Sequence, residues 1–246
     1  MRRQSYIIGV DEVGRGPLAG PVVVCAVAIP RKLRIASIAR SLPLRRSANS
    51  RLRAQNVLVL RDSKKLSPLQ RRAWVSAMQS DPRILHTIAT VSPSVIDRIN
   101  ITRAANRAVT RALTNLLGSL PSASRVDVFL DGGLYANARA PFKQHTTKPQ
   151  TKAKRFFIHT HPATQKQLNV QLETVIKGDE TIPVISLASI IAKEYRDTRM
   201  RRAHKKFPCY RFDQNVGYGT KAHIAAIKKN GRSPLHRNSF LKKIPS

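Results

Sequence analysis

Strand-like and helix-like apolar patterns alternate along all 246 residues with no internal repeat, which restricts the chain to a single mixed α/β domain. Residues 6–10 read as a buried strand. After a glycine-rich turn, residues 22–29 read as a second, long enough to pair with the first as a hairpin and ended by Pro30. Segments 84–91, 126–130 and 170–176 are further strand candidates. Ser67 and Pro68 open a helix as N-cap and first helical residue, with Leu69, Ala73, Trp74 and Ala77 facing inward. Asn100 caps a second helix over 101–117, ended by Gly118 and basic on its outer face at Arg103, Arg107 and Arg111. A third runs from Pro183 to about Lys205, with Ile185, Ala188, Ser189, Ala192 and Tyr195 inward and a basic end that suits its dipole. Residues 220–229 form a short helix in the tail.

Two stretches interrupt this order. Residues from about 31 to 60 carry no carboxylate and read as a basic surface insertion, partly helical at best. Residues 138–154 are loop-like and rich in Lys, Thr, Gln and Pro. The expected division is a catalytic domain over 1–205 and a small helical, substrate-binding extension over 206–246 packed on it.

Lys and Arg total 45 against 13 Asp and Glu, a formal net charge of +32, which points to a polyanionic partner, with nucleic acid the first choice. A hydrophobic content of 41% is too high for a disordered basic tail, and the absence of a long uncharged apolar run excludes a membrane span. Cys25 and Cys209 form no CxxC pair and fit two thiols in a reducing compartment. The first apolar segment follows only five residues, leaving no room for a targeting peptide, so the expected location is the cytoplasm. No stripe suggests self-association, and a monomer is expected.

In so acid-poor a chain the position of each carboxylate is informative. Asp11 and Glu12 directly follow the first strand, Asp131 follows the strand 126–130, and Asp179 lies just past the run 170–176. Groups beyond the ends of neighbouring strands in an open α/β sheet converge on one crevice. Clustered carboxylates repel one another unless a cation or protons neutralise them, and such hard oxygen ligands select Mg²⁺ or Mn²⁺. Two such ions, together with the basic surface, point to a nuclease. Each Asp taken alone could be a turn or helix cap, and the charge alone fits a non-enzymatic basic binding protein. Neither alternative gives a reason for four acids at strand ends. Asp81, Asp97, Glu194 and Asp213 read as caps and surface partners, and Asp197 as an ion-pair partner of Arg201.

The run from Gly9 to Val22, GVDEVGRGPLAGPV, resembles the signature of the ribonuclease HII family. Asp62-Ser63-Lys64-Lys65-Leu66, Leu130-Asp131-Gly132-Gly133, Lys177-Gly178-Asp179, Ala188 to Lys193 with Arg196-Asp197, Gly217-Tyr218-Gly219-Thr220 and His236 to Phe240 are similar to that family's motifs in the same order. The resemblance covers nearly the whole chain. It implies an RNase H-like fold, a mixed central sheet flanked by helices, and Mg²⁺- or Mn²⁺-dependent endonucleolytic cleavage of RNA in RNA/DNA hybrids and at ribonucleotides embedded in duplex DNA. It also implies products with 5′-phosphate and 3′-hydroxyl ends. The family's four catalytic and metal-binding carboxylates fall on Asp11, Glu12, Asp131 and Asp179, with Asp11 expected to be shared by both ions.

Gly14-Arg15-Gly16 resembles the element whose backbone approaches the ribose 2′-hydroxyl. Two glycines remove Cβ atoms where a sugar must come close, and that hydroxyl both donates and accepts. Tyr218 matches the tyrosine that stacks on the sugar after the ribonucleotide, and Lys64 and Lys65 are placed for backbone phosphates. Ser189 and Lys193 fall in a run whose small residues serve close helix packing, and no histidine is nominated as a base. The two insertions look longer than a compact bacterial form requires, and their charge suggests extra non-specific DNA binding.

Overall fold

A computed structural model describes residues 4–40, 60, 63, 66–122, 124–134, 142–144, 153–159 and 167–242. Strand β1 (Ser5–Val13) pairs antiparallel with β2 (Val22–Pro30), so the predicted hairpin forms, with Asp11 opposite Cys25. Eight of the nine β2 residues are buried. Such a strand needs cover on both faces of the sheet rather than one. The remaining strands are β3 (Leu85–Val91), β4 (Arg125–Asp131), β5 (Phe142–Gln144), β6 (Ala153–His159) and β7 (Gln167–Val175). They complete a seven-stranded sheet in the order β3-β2-β1-β4-β7-β6-β5. The pairs β1–β4 and β4–β7 are parallel and the other four are antiparallel. The sheet is therefore mixed.

The helices are α1 (Ile35–Arg40), α2 (Pro68–Ser80), α3 (Pro93–Ile99), α4 (Ile101–Ser119), α5 (Gly178–Thr181), α6 (Pro183–Lys206), α7 (Phe212–Asn215) and α8 (Lys221–Asn230). On one face of the sheet α4 buries Ala104, Ala105, Ala108, Val109, Ala112, Leu113, Leu116 and Leu117, a stripe at i, i+3, i+4 spacing. On the other, α6 and α2 pack Leu187, Ile190, Ile191, Trp74 and Met78 against Val23, Cys25 and Val27. Helix α6 lies directly on β1 because Gly9 has no side chain; a Cβ there would meet the Val184 carbonyl at 2.3 Å. A third cluster, Ala19, Met200, Tyr210, Phe212, Ile227 and Leu241, packs the tail on the body.

Several expectations need correction. Helix α4 passes through Gly118 and ends at Leu120, whose N–H bonds the Leu117 carbonyl; tertiary packing of Leu116 and Leu117 carries the helix past a glycine that is only mildly unfavourable there. Leu69 is 65% exposed, because it lies in the first turn and off the stripe that Trp74, Ala77 and Met78 define. Tyr195 is also exposed and lines an open groove with Val75, His86 and Ile88. The stretch read as a loop over 138–154 contains β5 and the start of β6, paired Phe142↔Ile158. Such edge pairing uses main-chain groups, which polar residues satisfy as well as apolar ones, so no alternation announces it. Asp197 pairs with Arg71 (3.1 Å) and Lys193 (2.7 Å), while Arg201 pairs with Glu194 (2.9 Å). Asp197 and Glu194 are buried against α2, whose Arg71 reaches both, 3.1 Å from Asp197 and 3.8 Å from Glu194. Within the segment 31–60, residues 35–40 are helical and 41–59 lie outside the described residues.

Candidate active site

Parallel pairing of β1 with β4 sets Val10 opposite Leu130, so Asp11 and Asp131 come side by side at the same end of these two central strands. Carboxylate oxygens of Asp11, Glu12 and Asp131 all lie within 4.8 Å of one another. Asp131 is held by the Gly178 N–H, which donates to its Oδ1 across 2.7 Å. Asp179 follows immediately in α5 and is buried; the Ser186 hydroxyl donates to its main-chain carbonyl across 2.6 Å. The structure thus brings three of the four expected carboxylates into one group and puts the fourth one residue beyond the amide that touches it, outside that 4.8 Å group.

The group is electrostatically strained without a cation. Burial first, and then the Glu12 and Asp131 charges, push the Asp11 carboxyl well above the usual carboxylate range; a hydrogen bond from the Ser189 hydroxyl opposes them. Burial pushes Glu12 up to about 7, against the opposing pull of Arg15 and with Asp131 adding to the rise. Arg15 Nη1 stands 3.4 Å from Glu12 Oε1, whereas Glu12 Oε2 is buried with no hydrogen-bond partner. An orphaned carboxylate oxygen beside two more carboxylates, with a donor set made only of hard oxygen, fits a divalent Mg²⁺ or Mn²⁺ type ion.

Beside this cluster, residues 14–21 cross from β1 to β2 wrapped around two arginines, Arg196 and Arg237, which fall in family-like motifs but had no role assigned from sequence. Arg196 donates to the carbonyls of Ala19 (3.0 Å), Pro21 (3.1 Å) and Val216 (2.9 Å). Arg237 donates to those of Gly14 (2.6 Å), Arg15 (2.9 Å) and Gly20 (3.0 and 2.8 Å). Both side chains are fully buried. Gly14, at φ +93°, takes a left-handed conformation with Arg196 packed where its Cβ would stand. Gly16 is exposed, and a Cβ on it would reach Tyr218 Cε1 at 4.0 Å, so Gly16 and Tyr218 border one opening. The Tyr218 ring is 43% exposed, with Arg196 Cζ 5.9 Å from its centroid. Arg15 Nη1 reaches towards Gly133 beyond β4. Lys64 and Lys65 lie outside the described residues.

Ser189 does more than pack: its hydroxyl lies 2.8 Å from Ser63 Oγ and pulls the Asp11 carboxyl down against burial. Its spacing on α6 showed that it faces inward, which is as far as periodicity goes. Arg196 and Arg237 lie in motifs that resemble the family's, but their role was not legible: in a chain with 45 basic residues, nothing local distinguishes a buried arginine from a solvated one.

Carboxylates converging at the ends of parallel neighbouring strands, on a mixed sheet covered by helices and in a strongly basic chain, define a metal-dependent nuclease of the RNase H-like class. The family model described as Ribonuclease HII matches residues 8–40 and 49–243. The chain is 36% identical over 236 residues to the ribonuclease HII of Chlamydia caviae, covering 96% of this chain and 84% of that one. Its fold is similar to the ribonuclease H2 of Pyrococcus horikoshii OT3, with a TM-score of 0.56 at 23% identity over 97% of this chain and 96% of that one. It is also similar to Bst-RNase HIII solved in complex with Mn²⁺, with a TM-score of 0.59 at 17% identity over 96% and 67% of the two chains. The chain belongs to the ribonuclease HII family. It is a ribonuclease H, an endoribonuclease acting on RNA/DNA hybrids, and no helix among its described residues is long and apolar enough to cross a membrane.

Proposed function

We propose that this enzyme also nicks duplex DNA at single embedded ribonucleotides, and that Asp11, Glu12, Asp131 and Asp179 hold two Mg²⁺ or Mn²⁺ ions at the scissile phosphate. The observation that carries the reading is the meeting of the Asp11, Glu12 and Asp131 oxygens within 4.8 Å in a largely buried crevice, with Arg15 3.4 Å from Glu12. When bound, the ions would supply Lewis-acid stabilisation of the attacking and leaving oxygens and lower the pKa of water, giving 5′-phosphate and 3′-hydroxyl ends.

The chain's own groups do the positioning. Gly178 fixes Asp131 and Ser189 fixes Asp11, so the carboxylates need little reorganisation to receive cations. With the carbonyls of residues 14, 15 and 19–21 turned towards two guanidinium groups, the glycine-flanked edge at Gly14-Arg15-Gly16 is left to meet the ribose 2′-hydroxyl, and Arg15 to meet a phosphate. Tyr218, bordering the same opening as Gly16, offers its face to the sugar of the next nucleotide and so reads the RNA-to-DNA junction. Lys64 and Lys65 bind backbone phosphates, and residues 206–246 act as a substrate-binding extension. The enzyme works as a monomer in the cytoplasm.

The test is cleavage of a duplex holding one ribonucleotide, both ends blocked, mapped on a gel with and without divalent metal. A metal-dependent cut at the ribonucleotide is expected, lost in Asp11→Asn while its circular dichroism spectrum stays native. Full activity of Asp11→Asn, or cutting in the presence of chelator, overturns the reading.

A further inference from the structure

Two imidazoles are buried in the tail, away from the carboxylates. His223 on α8 is 0% exposed and His236 is 3% exposed, and their Nε2 atoms are 3.1 Å apart. The Ser233 N–H donates to His236 Nδ1 across 2.9 Å, with Ser233 Oγ also 2.9 Å away. A nitrogen that accepts from an amide carries no proton, so the ring hydrogen of His236 is on Nε2 and points at His223. His223 Nε2 must then accept, which puts its hydrogen on Nδ1, 2.8 Å from the carbonyl oxygen of Tyr218. The proton order runs one way, from Ser233 through both rings to Tyr218, and it holds only while both rings are neutral.

The elements packed on the pair favour that state. Tyr210 meets His236 edge-on at 4.8 Å between centroids, and Phe212 meets His223 at 5.4 Å. The Tyr210 hydroxyl is already committed to the carbonyls of Asn230 and Gly231. Arg232 is the charged group acting on His236, and it is a cation; among the described residues no carboxylate hydrogen-bonds either ring. Burial, then His223 and Arg232, push His236 down to about 4, and burial lowers His223.

What the pair joins gives it a function. His236 bridges to Ala19, and its neighbours hold residues 18 and 20 through Arg237 N–H to Leu18 O and Gly20 N–H to Leu235 O, each 2.8 Å. His223 grips the main chain of Tyr218, and the adjacent Gly217 carbonyl accepts from Leu18 N–H at 2.8 Å. We propose that His223 and His236 are positioning residues: as a neutral hydrogen-bonded strut they fix Tyr218 relative to the loop carrying Gly14 and Gly16, and thereby set the preference for an RNA-to-DNA junction. This rests on the role given above to Tyr218, and the pair contacts no reacting atom.

Two measurements test it. Long-range ¹H–¹⁵N spectra of the imidazoles do not depend on activity; they should show His223 as the Nδ1–H tautomer and His236 as the Nε2–H tautomer, both neutral at pH 6. The opposite tautomers, or a cationic ring at that pH, overturn the strut. The second is the ratio of kcat/KM on a one-ribonucleotide duplex to that on a uniform RNA/DNA hybrid, in which loss of metal at the carboxylates cancels. His223→Leu, which removes the donor to Tyr218, should lower that ratio about tenfold, and His223→Asn, whose amide sits where Nδ1–H does, should restore most of it. An unchanged ratio in His223→Leu overturns the positioning role. Should the wild type show no junction preference at all, the Tyr218 reading fails, and the spectra still decide whether the strut exists.

Discussion

The Nη2–H of Arg237 donates to the carbonyl oxygen of Gly14 across 2.6 Å, tying residues 223 positions apart in sequence. Burial and the nearby Arg196 charge pull Arg237 down to about 9, so this cation sits in its place at a cost. It is retained because three carbonyls of the loop, at Gly14, Arg15 and Gly20, have it as their donor. Arg237→Ala would leave them buried and unpaired, at ~1–3 kcal/mol each. A total loss of about 3 kcal/mol or more is expected, read as a fall in melting temperature of roughly 6–12 °C for a chain of this size. Arg237→Lys should recover less than half of it, since a single ammonium cannot span the three acceptors a planar fork reaches.

Asp131→Asn separates fold from chemistry. The amide oxygen still accepts from Gly178 N–H, and the charge that raises both Asp11 and Glu12 is gone. Stability at pH 8 without metal should stay level or rise by about 1 kcal/mol, the scale of one like-charge contact in a partly screened site. Cleavage should fall by roughly 100-fold or more, because loss of a ligand exceeds the roughly 10–100-fold typical of its outer partners. Denaturant melts and initial rates on the same preparation check both halves.

The pH dependence of the metal-free protein follows from Glu12 and Asp11. Both carboxyls are raised in the folded state, so folded protein binds more protons than unfolded and stability falls as pH rises through about 7. The stabilising contribution is complete below the unfolded carboxylate range of about 4 and lost above the folded value. His236, lowered to about 4, moves oppositely, as do His223 and His86: each costs stability as pH falls through about 6.5, and the opposing slope fades within about one unit above that value. Between about pH 7.5 and 8 the downward slope from Asp11 and Glu12 therefore prevails, and the buried Cys25 thiol, raised by desolvation, adds to it. With chelator present, the melting temperature should decline across that window, while the rise produced by Mn²⁺ should grow, because the metal competes with protons for the same oxygens. A flat profile with a constant Mn²⁺ increment would contradict it.

The fold was largely legible because its signals are local. The apolar run of β2, the Ser67-Pro68 start of α2 and the stripe of α4 each require only a few neighbouring residues to be read. The three carboxylates were legible because acids are scarce here and each follows a strand. Helix α3 and the edge pair β5–β6 were missed, since neither carries a period that distinguishes it from loop. The arginines behind residues 14–21 and the histidine strut were illegible for a different reason. Their meaning lies in contacts across 175 to 223 positions for the arginines, and in a proton order that only geometry reveals for the histidines.

Ser63 and Ser189 form a relay whose direction can be worked out. When the Ser189 hydroxyl hydrogen goes to ionised Asp11, the 2.8 Å contact with Ser63 is left for Ser63 to donate. Ser189→Ala removes a bond that favours the ionised Asp11, so its carboxyl should rise further and Mn²⁺ affinity should fall by roughly 10–100-fold, the range for groups that orient a metal ligand. Ser63→Ala acts only by polarising and orienting Ser189, and should cost less. The two effects should not add: in the Ser189→Ala background, Ser63→Ala should leave Mn²⁺ affinity unchanged, because the path to Asp11 is already cut. Isothermal titration of the four proteins gives the cycle directly, and an additive result would mean that Ser63 reaches the carboxylates by some other route.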